Sequence, residues 1–163
     1  MHVCVLGAGT MGHGIAQVTA TAGHDVRLRD LDRDLVDDGL AAIRSNLDGG
    51  VERDKLTRAA ADAALDRIEG HTDLAAALDG ADLVVEAVPE RLELKHETFA
   101  DVEPHVSDET VLATNTSSLS VTEIASVLDD PTRAVGLHFF NPVHVMGLVE
   151  VVVAEQTSDE TLA

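Results

Sequence analysis

Aromatic side chains and cysteine are nearly absent from this 163-residue chain. It contains no tryptophan, no tyrosine and three phenylalanines, although 45% of its residues are hydrophobic. A core built from this composition must consist of aliphatic side chains and alanine. Cys4 is the only cysteine, which excludes an internal disulfide, and its position within the first predicted strand indicates a buried thiol.

Basic residues are also scarce. The chain has 11 lysines and arginines against 30 acidic residues, a formal net charge of -19, and its only lysines are Lys55 and Lys95. This charge argues against nucleic acids and anionic membrane surfaces as partners. The acids are spread along the whole chain, which indicates adaptation to high intracellular salt, where a Debye length of roughly 3 Å at 1 M salt screens their repulsion. An ordinary acidic protein from low salt is the alternative.

Long apolar segments are missing as well. No hydrophobic run is long enough to cross a bilayer, and a glycine motif begins at residue 7, which leaves no room for a signal peptide. We therefore predict a cytoplasmic protein with no membrane partner. The length favours one domain, or one domain with a fragment of a second. The histidines show no metal-ligand spacing, so no metal site is predicted.

The most informative pattern that is present lies at the start of the chain. An apolar strand over 1–6 leads into a GxGxxG motif, and a helical pattern begins near His13. This order predicts a dinucleotide-binding turn, in which Gly7 permits the tight turn, Gly9 lets the backbone approach a pyrophosphate and Gly12 lets the helix pack closely on the strand. The pyrophosphate is expected at the helix N-terminus. The cofactor-binding residues predicted in the motif are Gly7, Ala8, Gly9, Thr10, Met11 and Gly12.

An acidic residue at the expected distance supports this prediction. The strand-like run Asp25–Arg29 leads to Asp30, about 20 residues beyond the glycines, where a carboxylate can accept a hydrogen bond from a ribose 2′-hydroxyl. Asp30 therefore favours NAD over NADP as the cofactor. A glycine turn followed by an unrelated solvated aspartate is the alternative interpretation.

The rest of the pattern predicts an α/β fold with a Rossmann-like, doubly wound, mostly parallel sheet. After Asp30 the apolar spacing indicates a helix that Gly49-Gly50 interrupts and a second helix over 51–66, so this crossover holds a protruding helical hairpin. Further strands are predicted near 68 and over 81–88, 110–113, 133–139 and 145–153, and further helices over 74–78, over 91–102 and after a capping box at Ser120. Thr157 and Glu160 form another capping box, which predicts the start of one more helix.

Polar residues follow three predicted strands, at the sheet edge where doubly wound folds bind ligands. They are Glu90, the segment 115–118 and His138. His138 is the natural general base, because imidazole exchanges protons near neutral pH. Glu150 lies in the apolar run 148–153, where a carboxylate needs a partner, and an imidazolium at His138 would supply one. A structural glutamate at a sheet edge is the alternative.

Four segments together resemble the L-3-hydroxyacyl-CoA dehydrogenase family, in the right order and over nearly the whole chain. They are GAGTMG at 7–12, EAVPE at 86–90, NTSSL at 115–119 and GLHFFNP at 136–142. The resemblance implies that His138 removes a proton from the 3-hydroxyl of an acyl-CoA substrate and that Glu150 orients His138. It also implies that Ser117 binds the substrate oxygen near the nicotinamide of NAD. By the same resemblance, the residues that bind NAD beyond the glycine motif are Asp30, Glu90, Lys95, Ser117 and Asn141.

The resemblance also bears on the rest of the substrate and on the domain arrangement. Arg53 and Lys55, in the hairpin 44–58, would meet the phosphates of coenzyme A together with Arg58, although surface salt bridges are an equal alternative. In the family, a following helical domain supplies a catalytic asparagine, much of the acyl pocket and the dimer interface. Residues 1–163 are thus expected to form the NAD-binding domain of a homodimer that is held together by its C-terminal domain, and to turn over poorly alone.

The predicted function is NAD-dependent oxidation of (3S)-3-hydroxyacyl-CoA to 3-oxoacyl-CoA, in fatty acid β-oxidation or in its reverse. Two alternatives stay open: a dehydrogenase of a free hydroxy acid, and a non-catalytic NAD-binding module. The hairpin favours a substrate with a coenzyme A handle. The pair of His138 and Glu150 favours a catalyst over a pure binder.

Overall fold

Strands alternate with helices along the chain, as the sequence predicts. The structure is a computed structural model that describes residues 1–163. Its strands are β1 (His2–Leu6), β2 (Asp25–Arg29), β3 (Ile68–His71), β4 (Leu83–Glu86), β5 (Val111–Thr114), β6 (Ala134–Phe139) and β7 (Val149–Val152). Its helices are α1 (Thr10–Thr21), α2 (Arg33–Glu52), α3 (Arg58–Leu65), α4 (Leu74–Leu78), α5 (Leu92–Val102) and α6 (Val121–Ala125).

All seven strands form one sheet in the order β3-β2-β1-β4-β5-β6-β7. Neighbouring strands are parallel, except that β7 is antiparallel to β6. The order reverses at β1, which pairs with β2 on one side and β4 on the other. Ligands of doubly wound sheets bind at the carboxyl ends of the strands beside such a reversal. The predicted fold class is confirmed, and the sheet directs the loops after β1, β4, β5 and β6 toward one edge.

Two apolar cores lie on opposite faces of the sheet. In β1 the side chains alternate, so that Val3 and Val5 belong to one core and Cys4 and Leu6 to the other. Both cores are built mainly from aliphatic residues and alanine, as the composition predicts, and Phe99 is the only aromatic residue buried in either. Burial raises the pKa of the Cys4 thiol to about 12, so Cys4 behaves as a small apolar side chain.

The predicted interruption at Gly49-Gly50 is wrong, because α2 continues through both glycines to Glu52. Each glycine weakens a helix by about 1 kcal/mol relative to alanine. Tertiary packing offsets this penalty: Leu47 is 2% exposed within the core. The guanidinium of Arg53 also folds back over the helix, with Nη1 3.0 Å from the place where a Cβ on Gly49 would lie.

The hairpin of α2 and α3 also protrudes less than predicted. Leu47 of α2 and Ala61 and Ala64 of α3 are buried in the core that lies against α1. The second helix is shorter than the predicted 51–66 and begins after Thr57, whose hydroxyl accepts a hydrogen bond from the N–H of Ala60. Only the connection 53–57 is mostly exposed.

The predicted helix after Thr157 is absent, and residues 159–162 form turns instead. The Thr157 hydroxyl accepts a hydrogen bond from the Ala154 N–H and donates one to the carbonyl of Ala134 on β6, so it joins two segments and does not cap a helix. The hydroxyl of Ser158, one residue later, accepts from the N–H of Thr161. The strand predicted over 145–153 is also shorter, because only Val149–Val152 pair with β6.

Glu103 and Arg133 form an ion pair at the edge of the sheet opposite the carboxyl ends of the strands. Its environment predicts how the stability of the fold depends on pH. Glu103 accepts hydrogen bonds from the N–H of Asp129 (2.8 Å), the N–H of Asp130 (3.1 Å) and Arg133 (3.0 Å). Partial burial raises the pKa of Glu103, but these donors together hold it below its ordinary value of 4.5. A carboxyl whose pKa is lower in the folded chain stabilises the fold at neutral pH, and this contribution is lost as the pH falls below about 4.5.

Glu103→Gln is therefore expected to lower the free energy of unfolding by about 1–3 kcal/mol at pH 7. The difference between the variant and the original chain in the free energy of unfolding should shrink as the pH falls from about 4.5 to about 2, because the carboxyl of the original chain becomes protonated as the pH falls. Urea unfolding at the two pH values measures both differences. An equal destabilisation at both pH values would contradict the assigned role of the ionised carboxylate.

Candidate active site at the carboxyl edge of the sheet

A cavity of about 1010 Å³ lies at the carboxyl ends of the parallel strands. It is lined by residues from the loops after β1, β2, β4 and β5 and from the end of β6. Predicted site residues in its wall are Gly7, Gly9, Thr10, Met11, Asp30, Glu90, Ser117, His138 and Asn141. The fold therefore brings together segments that are far apart in the sequence.

The glycine turn is shaped for a group that approaches its backbone closely. Gly7 has φ +99°, and a Cβ there would lie 2.6 Å from the carbonyl oxygen of Ala87. A Cβ on Gly12 would lie 1.6 Å from the carbonyl oxygen of Gly7, so α1 can pack against the turn only with glycine at this position. By contrast, no atom lies within 4 Å of the Cβ position of Gly9. The open space at Gly9, beside the start of α1, fits a pyrophosphate.

Asp30 is held in a fixed orientation at the other side of the turn. Its Oδ2 accepts a hydrogen bond from the N–H of Ala8, and its Oδ1 accepts one from the N–H of Leu31, each at 2.7 Å. Ala8 is buried and contributes its N–H to Asp30 instead of a side chain to the cavity. A carboxylate has about four acceptor sites, so Asp30 retains capacity for a ribose hydroxyl.

The loop after β5 is fastened to Glu90, in the loop after β4. Glu90 Oε1 accepts hydrogen bonds from the hydroxyl of Thr116, from the N–H of Ser117 (3.1 Å) and from the N–H of Ser118 (3.3 Å). Partial burial raises the pKa of Glu90, but the Thr116 hydroxyl, the Lys95 ammonium and the Ser117 N–H together hold that pKa below its ordinary value. An ionised Glu90 thus fixes the backbone that carries Ser117.

The predicted contact between His138 and Glu150 is present. The two residues lie directly opposite each other in the antiparallel ladder of β6 and β7, and His138 Nδ1 lies 2.8 Å from Glu150 Oε2. The Phe140 ring packs beside the imidazole, with centroids 4.4 Å apart. Burial does not explain the pair: the Glu150 side chain is 55% exposed, because β7 is an edge strand with every residue exposed. The strand register, and not desolvation, forms the pair.

Other predicted residues lie outside the cavity wall. Lys95 is 1% exposed and lies behind the wall, where its ammonium contacts Glu86 and Glu90. Arg53 and Lys55 are exposed on the connection between α2 and α3. Arg58 forms a surface ion pair with Asp48 at 2.7 Å, in agreement with the alternative weighed for it.

Sequence reasoning missed three features of the site. Glu86 and Thr114 are both fully buried, and their side chains are hydrogen bonded to each other beneath the cavity. Leucines at positions 31, 35, 74 and 94 line the cavity, and the 78% exposure of Leu31 is unusual for its type. A leucine directly after the predicted ribose-binding aspartate was a usable signal for this apolar wall.

The third missed feature is a group of basic side chains. Partial burial and the charges of His13 and Arg53 lower the pKa of His144, so these three side chains lie near one another, on the side of the molecule that carries the hairpin of α2 and α3.

Fold and cavity together define a dinucleotide-binding domain of the doubly wound class. Residues 2–163 match the family described as 3-hydroxyacyl-CoA dehydrogenase, NAD binding domain. The chain therefore belongs to the 3-hydroxyacyl-CoA dehydrogenase family, and its cofactor is NAD. No helix combines the length and the apolarity needed to cross a membrane.

Individual relatives agree with this assignment. The chain is 45% identical over 160 residues to 3-hydroxyadipyl-CoA dehydrogenase of Escherichia coli K12, covering 98% of this chain and 34% of the relative. It is 42% identical over 159 residues to a probable 3-hydroxybutyryl-CoA dehydrogenase of Bacillus subtilis, covering 98% and 55%. The crystal structure of (S)-3-hydroxybutyryl-CoA dehydrogenase from Ralstonia eutropha superposes with a TM-score of 0.95 at 42% identity, covering 98% of this chain and 56% of that one. The chain thus spans between about a third and just over half of these relatives.

Proposed function

We propose that this chain is the cofactor-binding and base-bearing part of an NAD-dependent enzyme that oxidises (3S)-3-hydroxyacyl-CoA to 3-oxoacyl-CoA, or runs the reverse reaction in fatty acid metabolism. The observation that carries the proposal is the pair of His138 and Glu150, with His138 in the wall of the same cavity as the glycine turn. A protein that only binds NAD has no need of an imidazole oriented by a carboxylate at this place. The names of the relatives support the acyl-CoA substrate.

The proposed proton transfer follows from the hydrogen bond at Nδ1. An ionised Glu150 can only accept, so a neutral His138 donates its Nδ1 proton to Glu150 and retains a lone pair on Nε2. Nε2 then takes the proton of the substrate 3-hydroxyl as the C–O bond becomes C=O. NAD, when bound, supplies the acceptor for the hydride that leaves the same carbon. Glu150 stabilises the resulting imidazolium, and in the reverse reaction His138 returns the proton.

Ser117 is proposed to bind the substrate oxygen on the opposite side from His138. Both residues line the cavity, and the Ser117 backbone is fixed by Glu90. The loop of Ser117 is also tied to the strand of His138, because the Asn115 side-chain oxygen accepts a hydrogen bond from the N–H of Phe139 at 2.9 Å. A hydroxyl in this position would hold the oxygen while its proton leaves.

Arg53 and Lys55 are proposed to meet the coenzyme A phosphates. In a chain of net charge -19, cations are few, and Arg53 lies near the basic side chains of His13 and His144. Arg58 is excluded from this proposal because Asp48 already pairs with it.

We also propose that the whole protein is a homodimer whose contacts come from a helical domain not contained in this chain. We infer that the exposed valines of β7 pack against that helical domain.

The test is NADH formation from 3-hydroxybutyryl-CoA in concentrated KCl. The chain of 163 residues is compared with the same chain extended by a helical domain of the family, with 3-hydroxybutyrate as the matched substrate that lacks coenzyme A. We expect turnover of the thioester by the extended protein and none of the free acid. Turnover of the free acid, or NAD binding without turnover of either compound, would contradict the proposal.

A separate prediction concerns cofactor choice. Asp30→Asn is expected to weaken NADH binding by about 10-fold to 100-fold, because a charged hydrogen bond contributes about 1.5–3 kcal/mol. The same change removes the repulsion of a 2′-phosphate, so NADPH should gain relative to NADH. Titration of cofactor fluorescence measures both affinities. Asp38→Asn, an equal charge change on the exposed face of α2, is the control and should alter neither; an unchanged preference in Asp30→Asn would refute the ribose contact.

The cytoplasmic location and the adaptation to high salt stay predictions. If the charge of -19 reflects adaptation to salt, the chain should lose NAD affinity or unfold below about 0.5 M KCl as screening weakens. Thermal unfolding and NADH titration across KCl concentrations measure this. Full stability and affinity in dilute buffer would contradict the prediction.

A further inference from the structure

His138 lies on a part of β6 that β5 does not reach. The ladder between the two strands ends where Thr114 pairs with Gly136, and β6 continues for three more residues to Phe139. In this last part β6 pairs only with β7, which is an edge strand with every residue exposed. The main chain at His138 therefore has a neighbouring strand on one side only.

Asn115 supports the other side of this strand end. It is the first residue after β5, and its side-chain Oδ1 accepts a hydrogen bond from the N–H of Phe139 at 2.9 Å. A main-chain N–H can donate only to the oxygen of an amide, so this contact fixes which way the Asn115 amide points. The side-chain carbonyl takes the place of a main-chain carbonyl and continues the pairing of β5 with β6 by one hydrogen bond.

Asn115 is itself held by the centre of the sheet. Its N–H donates to the main-chain carbonyl of Glu86 at 2.8 Å. Glu86 is the last residue of β4, which lies between β1 and β5 in the sheet order. The hydrogen bond from Phe139 to Asn115 thus connects the end of β6 to the central strands.

The same residue begins the loop that carries Ser117. Ser117 lies two residues after Asn115, with its N–H bound by Glu90 at 3.1 Å, and His138 lies one residue before Phe139. Asn115, Ser117 and His138 all line the cavity. One side chain therefore joins the main-chain segments of the two residues that the proposed function places on the substrate oxygen.

We propose that Asn115 is a positioning residue that sets the place of His138 relative to Ser117 through its hydrogen bond to Phe139. A base and a hydroxyl that share one substrate oxygen need defined positions, because a misplacement of about 1 Å can lower a rate by about 100-fold. The inference deepens the proposed function, since the roles of His138 and Ser117 rest on that function. The hydrogen bond, and its effect on the strand end, do not depend on it.

The first test is hydrogen exchange at the Phe139 amide, followed by NMR in the cofactor-free chain. Asn115→Leu keeps a side chain of similar size but removes the acceptor, so we expect exchange to become about 3-fold to 10-fold faster. Asn115→Asp keeps an oxygen at this place, and exchange should stay within about 2-fold of the original. Unchanged exchange in Asn115→Leu would overturn the proposal, because the hydrogen bond would then not hold the strand end.

The second test separates positioning from binding in the extended protein, with 3-hydroxybutyryl-CoA as substrate. Asn115→Leu should lower kcat by about 10-fold to 100-fold, while the affinity for NADH and the KM for the thioester change by less than about 3-fold. Asn115→Asp should recover kcat to within about 5-fold of the original, since its oxygen restores the contact with Phe139. Equal loss of kcat in both variants would assign the effect to the amide protons, and thus to a direct ligand contact, and would overturn the proposal.

Thr157→Val is the matched control. The Thr157 hydroxyl donates to the main-chain carbonyl of Ala134 at the start of β6, so this variant removes a side-chain hydrogen bond from the same strand at its other end. It should leave exchange at Phe139 and kcat unchanged, and a kcat as low as in Asn115→Leu would overturn the proposal in favour of a general loss of strand order. If the extended original protein turns over neither the thioester nor the free acid, the proposed function fails, while exchange at Phe139 still decides whether Asn115 holds the strand end.

Discussion

Replacing His138 with glutamine is expected to lower the rate of NADH formation by about 10²-fold to 10⁴-fold, the usual contribution of a positioned general base. Glutamine has a planar side chain that can still meet Glu150, but its amide accepts no proton near neutral pH. The extended protein described above is the species to assay, with 3-hydroxybutyryl-CoA as substrate. The affinity for NADH should change little, because the proposed role of His138 is toward the substrate hydroxyl.

A companion variant, Glu150→Gln, tests whether Glu150 acts through His138. It leaves His138 in place, but the amide can present its donor to Nδ1 and so favour the other tautomer of the imidazole, in which Nε2 carries the proton. We expect a loss of kcat in this variant as well, and the double variant should be no slower than His138→Gln. A rate for His138→Gln within a factor of about three of the original would sink the assignment of the base, since general-base catalysis contributes far more.

The parts of the fold that could be predicted are those whose signals are local. The glycine turn with its flanking strand and helix, the short helix over 74–78 and the capping of α6 by Ser120 each depend on residues within a few positions of one another. The Gly49-Gly50 pair shows where prediction from local signals fails. Helix propensity is also a local property, but the burial of Leu47 against α1 and α3 decides where α2 ends, and that contact is not visible in the sequence.

The site, too, has residues that the sequence predicts and contacts that it does not. Glu90, Ser117 and His138 were predictable because polar residues after strands of a doubly wound sheet meet at one edge. The contacts of Glu86 were not, since its partners Lys95 and Thr114 lie 9 and 28 residues away and meet it only in the interior. Glu150 was paired correctly with His138 for a reason that fails: its strand is exposed, and the antiparallel register forms the contact.

Alanine at two glycines of the same motif is expected to have different primary effects: Gly12→Ala should lower stability, and Gly9→Ala should lower NADH affinity alone. In Gly12→Ala the new Cβ would lie 1.6 Å from the carbonyl oxygen of Gly7, so helix α1 must move away from β1. Overpacking in a rigid site is unfavourable by about 1–3 kcal/mol or more, and here the clashing atom belongs to the backbone, which cannot rotate away. We expect a large loss of stability in urea unfolding, and loss of NADH binding as a consequence.

In Gly9→Ala the new Cβ meets no protein atom within 4 Å, and φ of -66° suits alanine. The folded chain should therefore be as stable as the original, yet the Cβ would stand in the open space that fits the pyrophosphate. If the clash is about 1–3 kcal/mol, NADH affinity falls by about 5-fold to 150-fold. Equal NADH affinity in Gly9→Ala and the original chain would show that the pyrophosphate lies elsewhere, whereas a stable Gly12→Ala would show that the turn can open without disturbing the sheet. Because the two substitutions add the same methyl group three residues apart, the contrast separates the glycine that the fold requires from the glycine that the ligand requires.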